Sequence, residues 1–446
     1  MSMKTHLPAV VIALLIPLSV QAQQTVSLTV ERSIEIGLSN SKSLHAAMMG
    51  LEAADARSSE ASVARFATLK FGGGYTRLSE VPPFDIGPYP PLLTEPITVS
   101  SAVLDNYALR LSLQQPVFTG LRLRKNADLA EYTAEATEKD VSRNKSDLIY
   151  TIRSAYWNLY KSNEFKGVID EIVTQMSAHL KDVQGFFEQG IATKNDVLRV
   201  ETQLSNAELM QLDATNNVQL AMLGLNNIIG LPLGTKVEIA SQLQKATTSS
   251  YNVDELIHQA NELRPDVKAL ELRVKAGEAG VGLAQSGWFP QIYLFGNYYY
   301  SRPNQRFFPT VDAFKNTWDI DINVSMDIWN WGTTIHQTNE AQALLAQTHD
   351  ALSQLRDDVS LEVTQSYLSL IESRNRIDVA EKGVAQAEEN YRITNEKFQS
   401  GLVLNSDVLD AEVLLLQAKF NYIQALVDHE LADAKLQKAT ASDLHY

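Results

Sequence analysis

Two hydrophobic periods share this chain, and they occupy different stretches of it. From Thr317 to Ile328 apolar and polar residues alternate strictly, with Trp318, Ile320, Ile322, Val324, Met326 and Ile328 set against Asp319, Asp321, Asn323, Ser325 and Asp327. Tyr107, Leu109, Leu111 and Leu113 alternate in the same way with Ala108, Arg110, Ser112 and Gln114, and Pro290 to Ser301 is dense in aromatic residues. A period of two predicts strands with one apolar and one polar face. The second period is helical. Val408, Ala411, Leu415, Ala418, Tyr422, Ala425, His429, Ala432 and Leu436 are spaced three and four apart, and Val197, Val200, Leu204, Ala207, Gln211, Ala214, Val218, Ala221 and Leu225 repeat the spacing. Both runs are heptad seams rich in alanine, which lets neighbouring helices approach closely.

Proline sets the lengths of these helices. No proline occurs between Pro116 and Pro232, or anywhere after Pro309. Proline is excluded from helix interiors, so both tracts are free to be long helices. Each is interrupted once, at Phe187 to Gly190 and at Phe398 to Gly401. Each therefore predicts a helix of about 65 residues, ~100 Å long at 1.5 Å per residue, a glycine turn, and a returning helix of about 35.

The two interruptions are copies of one another. Phe187 and Phe398 are 211 residues apart, and the same separation joins Gly190 to Gly401, Asp196 to Asp407, Leu198 to Leu409, Glu201 to Glu412, Tyr156 to Tyr367 and Phe118 to Trp329. The chain is thus expected to hold two structural repeats, 23–240 and 241–446. Each opens with a moderate helix (about 31–64 and 253–287) and a strand pair (about 66–118 and 290–329). Each closes with a long helix pair whose tip lies at 187–195 or 398–406.

The first 22 residues change the expected compartment. Lys4, the apolar run Val10 to Leu18 and the small residues Val20 and Ala22 form a secretory signal peptide, cut after Ala22. No later stretch is apolar for long enough to span a bilayer as a helix. The alternating segments of ~10 residues suit transmembrane β-strands instead, although a half-buried sheet in a soluble protein gives the same alternation. Four strands cannot close a barrel, and an open edge is not tolerated in lipid, so at least two copies are required.

Composition narrows the chemistry further. A formal charge of −15 argues against a nucleic-acid surface. The absence of cysteine excludes disulfides, thiolate metal sites and a lipid-modified cysteine. The eight histidines form no ligand spacing, Gly185 to Gly190 is followed by Ile191 where a phosphate loop needs lysine, and no Gly-x-Ser-x-Gly occurs. Neither an enzyme nor a bound cofactor or metal is expected.

Several features together resemble the TolC-type outer-membrane factor family. They are Gln115-Pro116-Val117-Phe118 before Gly120, with Asp327 to Gly332 as its counterpart; the tips Phe187 to Leu198 and Phe398 to Leu409; and the stretch Ala418 to Lys435 with Asn421 and Tyr422. The resemblance spans the chain after the signal peptide. It departs at Ala67, where Pro290 opens the equivalent strand, and at Lys42, which stands against Arg264 and Pro265. It implies a homotrimer whose twelve strands close a β-barrel in the outer membrane of a Gram-negative cell, continued by a twelve-helix tube through the periplasm. It further implies a passive exit duct that docks through a periplasmic adaptor onto an inner-membrane pump, of the resistance-nodulation-division or ABC type, and exports drugs or other small toxic compounds. A type I protein secretion duct is the alternative in the same class, and a non-conducting periplasmic scaffold is the alternative outside it.

The resemblance also assigns sites. Asp407, Asp410 and Asp196 would ring the periplasmic aperture, and Gln189, Gly190, Ile191, Ser400, Gly401 and Leu402 would touch the adaptor. Asp407 and Asp410 share a helix face, being three apart, and Asp407 stands equally well as a helix cap. Glycine at each tip equally closes a helix end. Phe398 and Val403 offer no polar side chain for links between neighbouring tip helices.

Overall fold

A computed structural model describes residues 25–445 except 83, 89, 93, 101, 102, 242 and 244–251. The expected signal peptide, 1–22, and Pro83 lie outside the described residues. The chain runs β1 (Thr25–Leu28), α1 (Val30–Asn40), α2 (Lys42–Val63), β2 (Thr68–Arg77), β3 (Phe84–Ile86), β4 (Ile97–Ser100), β5 (Asp105–Thr119), α3 (Arg122–Glu188), α4 (Lys194–Ile229) and β6 (Lys236–Ile239). It continues with α5 (Val253–Leu263), α6 (Pro265–Gln285), β7 (Gln291–Arg302), β8 (Lys315–Ser325), α7 (Thr333–Gln399) and α8 (Asn405–Ala439). The proline-free tracts become helices of 67 and 36 residues in the first half and 67 and 35 in the second.

The moderate helix expected at the start of each half is in fact two helices. Arg264 takes an extended conformation (ψ 128°) because the ring of Pro265 crowds a helical residue before it, and Pro265 then opens α6. No proline does this at Ser41, yet its ψ of 112° ends α1 as well. There the Asn40 side chain donates to the Ile229 carbonyl at 3.2 Å, so a tertiary contact fixes the break.

The twofold repeat is written most sharply in the backbone. All eight left-handed residues among those described fall into four pairs 211 apart: Gly120 with Trp331, Leu121 with Gly332, Gly190 with Gly401, and Gly230 with Ala441. The first two pairs are the corners where a strand turns into a long helix. Leu121, Trp331 and Ala441 adopt φ between 56° and 66°, a region that side chains with a Cβ rarely enter.

Two compact units cut across this repeat. One comprises Met1–Ser41, Leu148–Ser249 and Ser369–Lys435; the other comprises Lys42–Asp147, Ser250–Leu368 and Leu436–Tyr446. In the first unit β1 and β6 pair in parallel, Thr25 opposite Lys236. This small sheet was not expected from sequence. It rests on a core of Leu28, Ile34, Ile149, Ile152, Tyr156, Leu225 and Ile229. The same unit holds the helix tips, packed around Ile172, Met176, Val183, Val197, Val200 and Val408. The seams expected on α4 and α8 are its inward faces, with Val197, Val200, Val408, Ala411 and Leu415 all buried.

The second unit carries a four-stranded antiparallel sheet in the order β2-β5-β7-β8 and a short hairpin, β3 with β4. Strand β8 ends at Ser325, so Met326 to Ile328 lie beyond it although the alternation includes them. Ser325 pairs with Gln291, the first residue of β7, and Pro290 before it has no N–H to continue the ladder.

Tyr156 ties the small sheet to α3. Its buried hydroxyl donates to the Leu28 carbonyl at 2.9 Å and accepts from the Ser241 N–H at 3.2 Å. Tyr156→Phe leaves buried polar groups unmatched, at a cost of about 1–3 kcal/mol. It should lower the thermal midpoint of the detergent-solubilised protein, read by circular dichroism, with the helix content at low temperature unchanged.

Candidate functional site

The sheet has two chemically opposite faces. Register places Leu69, Phe71, Gly73 and Tyr75 of β2 beside Leu113, Leu111, Leu109 and Tyr107 of β5. Across β7 and β8 the same face continues with Ile292, Leu294, Gly296 and Tyr298 opposite Val324, Ile322, Ile320 and Trp318. Trp318, Ile320, Ile322 and Val324 are 61–70% exposed. A band of bare aliphatic and aromatic side chains on one side of a sheet fits hydrocarbon, not water.

Aromatic residues gather at both ends of the band. At the loop end Tyr107 lies 5.0 Å from Tyr75 and 5.9 Å from Phe314, and Tyr300 stacks on Phe314 at 5.0 Å. At the helix end Trp329 and Trp331 meet edge to face at 5.7 Å and are 75% and 85% exposed. Paired aromatic girdles around an apolar band mark the two interfaces of a membrane. No helix among the described residues is long and apolar enough to cross one.

The opposite face is a connected polar surface. Asn297, only 6% exposed, accepts from Arg110 at 2.7 Å and Ser112 at 2.6 Å and donates to Asp319 at 2.7 Å. The loop after β7 folds onto this face. Arg306 donates to Asp319 at 2.7 Å and to the Trp318 carbonyl at 3.0 Å, and Arg302 closes the loop by pairing with Asp312. Such a face suits a water-filled lumen.

The two tips are built alike. At each a left-handed glycine ends the long helix, with its own N–H bonded to Phe187 or Phe398 and the next N–H reaching back to Phe186 or Lys397. This double bond pattern satisfies the last carbonyls of the helix. In the first turn of the returning helix an aspartate then bonds back to the residue at the helix start, as the second half of a capping box at Thr193. Asp196 accepts from the Thr193 N–H at 2.9 Å and hydroxyl at 2.6 Å, which holds its carboxyl below the usual range. Asp407 accepts from the Leu404 N–H at 2.9 Å. Asp196 and Asp407 therefore both help to close helix starts, each accepting from the N–H three residues before it. Asp410 caps nothing: it is exposed and lines a groove with Asn195, Leu198, Arg199, Thr202 and Ser406. Gln189, Gly190, Ser400 and Gly401 are exposed, and Ile191 and Leu402 are bare at 65% and 73%.

Sequence reasoning missed the polar groups buried behind the tips. His179 meets Asn405 at 2.7 Å, and Asn405 donates onward to the Asp196 carbonyl at 3.3 Å, so one tip is hydrogen-bonded to the other. Burial pushes the His179 imidazole down, towards the neutral form. Phe398 does not face solvent; its ring packs at 5.0 Å from His179 and 5.5 Å from Phe186. Glu412 is 1% exposed, its Oε2 has no partner, and its nearest donor is the Tyr391 hydroxyl at 3.5 Å. Burial raises the Glu412 carboxyl to about 7. The available signal was its position four residues after Val408 and four before Leu416, inside the apolar stripe.

A carboxyl that is harder to ionise when folded stabilises the protein only while it keeps its proton. Below the ordinary carboxylate range it is protonated in both states, and the full stabilisation is present. As pH rises to about 7 that stabilisation is lost, at most about 3 kcal/mol for a shift of this size. The protection of α8 amides near Glu412, measured relative to the intrinsic exchange rate at each pH, should therefore fall between about pH 5 and 7, with Glu412→Gln removing that fall. Equal pH profiles in parent and variant would refute the assignment.

Comparison with known proteins agrees with this geometry. The family model described as outer membrane efflux protein matches residues 34–231 and 256–442. Outer membrane protein TolC of Vibrio cholerae is 22% identical over 314 residues, spanning 70% of this chain and 72% of its own. Alkaline protease secretion protein AprF of Pseudomonas aeruginosa is 22% identical over 344 residues, spanning 75% and 69%. The solved CmeC outer membrane channel of Campylobacter jejuni superposes with a TM-score of 0.78 at 16% identity, over 98% of this chain and 94% of that one. The chain belongs to the outer membrane efflux protein family, and it is an outer-membrane exit duct of a family of channels, not of enzymes.

Proposed function

We propose that three copies of this chain close a twelve-stranded barrel in the outer membrane, continued into the periplasm by a tube of their long helices. The observation that carries this reading is the sheet itself: four strands, one face for lipid and one for water, and two outer strands, β2 and β8, without a further neighbour among the described residues. Unpaired N–H and C=O groups cost several kcal/mol each in hydrocarbon, so such a sheet reaches lipid only when other copies complete it. The loops at about 81–104 and 302–316 then face the cell exterior, and the helix tips face the inner membrane.

In this reading the duct powers nothing. It receives cargo from an inner-membrane pump, of the resistance-nodulation-division or ABC type, through a periplasmic adaptor that touches Gln189, Gly190, Ile191, Ser400, Gly401 and Leu402. The bare Ile191 and Leu402 at the tips support an apolar contact there. Small toxic compounds are the favoured cargo, since the matched family is described by efflux. The likeness to a protease secretion protein supports protein export as the second reading. No cofactor or metal is needed for either.

Asp410, with Asp407 and Asp196, lines the periplasmic aperture. Clustered carboxylates in a narrow ring attract cations and raise the local field. Because Asp407 also helps to close the start of α8, the informative variant keeps its acceptor: Asp407→Asn with Asp410→Asn. In planar bilayers this pair should weaken cation preference and divalent-cation block while native mass spectrometry still shows a trimer. Unchanged selectivity would remove the ring assignment, and a monomer from the parent protein would remove the duct assembly.

A further inference from the structure

The missing neighbour of β8 can be worked out from the seam already inside the chain. There β5, the last strand of the first repeat, pairs with β7, the first strand of the second. In a closed ring β8 and the β2 of a following copy stand in the same relation. The hairpin registers fix how the strands correspond. Tyr75 pairs with Tyr107 as Tyr298 pairs with Trp318, and Phe71 pairs with Leu111 as Leu294 pairs with Ile322. So β5 maps onto β8 at a separation of 211 and β2 onto β7 at 223, the separation that also joins Ala67 to Pro290 and Gly73 to Gly296.

The inner seam sets Arg110 against Tyr299, Ser112 against Asn297, Gln114 against Phe295 and Pro116 against Tyr293. Carried over residue by residue, these pairs become Asp321 with Thr76, Asn323 with Gly74, Ser325 with Gly72, and Asp327 with Lys70. We infer that a second copy of this chain adds its β2 to β8 in this register, and that Lys70 and Asp327 form an ion pair across the seam on the polar face. The inference rests on the multi-copy barrel proposed above and goes beyond it by fixing the register and the pair that enforces it.

Three observations meet here. The first is the match of faces: Ile322 falls opposite Tyr75, Val324 opposite Gly73 and Met326 opposite Phe71, so apolar meets apolar throughout. A slip of one residue would turn every side chain to the wrong face. A slip of two keeps the faces but sets Lys70 against Ser325 or Trp329, so charge complementarity selects the register that the faces leave open.

The second is the unfinished strand. The alternation runs to Ile328, whereas β8 stops at Ser325 because β7 and Pro290 offer no further ladder. In the inferred seam Met326 and Asp327 find Phe71 and Lys70 as partners; Ile328 takes the place of Val117, which the inner seam leaves as a bulge, and Trp329 falls opposite Leu69. The third is what β2 leaves free. Lys70 and Asp327 are both exposed and have no ion pair among the described residues. A side-chain carbon added at Gly72 or Gly74 would meet nothing within 4 Å, so the polar face of β2 is open where Ser325 and Asn323 would arrive.

The chain contains no cysteine, so introduced pairs report without background. In outer membranes, oxidation of Thr76→Cys with Asp321→Cys should give covalent dimers and trimers at several-fold higher yield than either shifted pair, Gly74→Cys or Leu78→Cys with Asp321→Cys. Lys70→Glu should lower the temperature at which the assembly dissociates in detergent, and adding Asp327→Lys should restore it. Better linking by a shifted pair, or equal linking by all three in a protein that weighs as a trimer, overturns the register. A parent protein that weighs as a monomer overturns instead the assembly on which it rests.

Discussion

A strand in hydrocarbon has no water to satisfy its outward N–H and C=O groups, and most of this structure follows from that constraint. It turns the bare face of β8, which would be an aggregation hazard in water, into a fitted surface. In the proposed barrel it also makes a single chain incomplete, because the ladder β2-β5-β7-β8 has two ends and cannot curl onto itself with only four strands. The helical part carries no such demand. Its backbone is satisfied within each helix, so it needs neighbours only for its seams.

Duplication is the economical answer to this constraint. Two copies of a strand pair create one seam inside the chain, and in the proposed assembly that seam serves as the template for the one between chains. The pairing of left-handed residues, Gly120 with Trp331 and Leu121 with Gly332, shows that the corner from strand to helix has been kept as backbone geometry while its side chains diverged. Glycine and a bulky residue have changed places within the corner. The conformation is therefore imposed by the surrounding fold and not by glycine alone.

What the sequence disclosed was whatever has a period or a separation. The heptad seams, the long proline-free helices, the strand faces and the tips all repeat, and each is present in the structure. Features held by contacts distant in sequence were not legible. Strands β1 and β6 are four residues each and become a sheet only because their partners lie about two hundred residues apart. The break at Ser41 has no proline to announce it and depends on Asn40 reaching Ile229. At the tips Asp196 and Asp407 were visible as acidic positions, but only the hydrogen bonds from Thr193 and Leu404 reveal that both close helix ends. In the sequence Glu412 is simply one half of a repeat pair with Glu201, since burial against Tyr391 is a tertiary fact.

The early end of β8 bears on how thick a bilayer the sheet can serve. From Trp318 to Val324 the apolar face covers ~20 Å along the strand, which a tilt of about 40° reduces to ~16 Å of membrane normal. That is well short of the ~25 Å apolar band of an outer-membrane barrel. Continued to Ile328, the same face spans ~34 Å along the strand and ~26 Å of normal. The last three residues of the alternation thus decide whether lipid must thin around this part of the wall, a hydrophobic mismatch that costs fractions of a kcal/mol per Å. Fit to the bilayer and joining of one copy to the next would then be one event, completed by the same short segment.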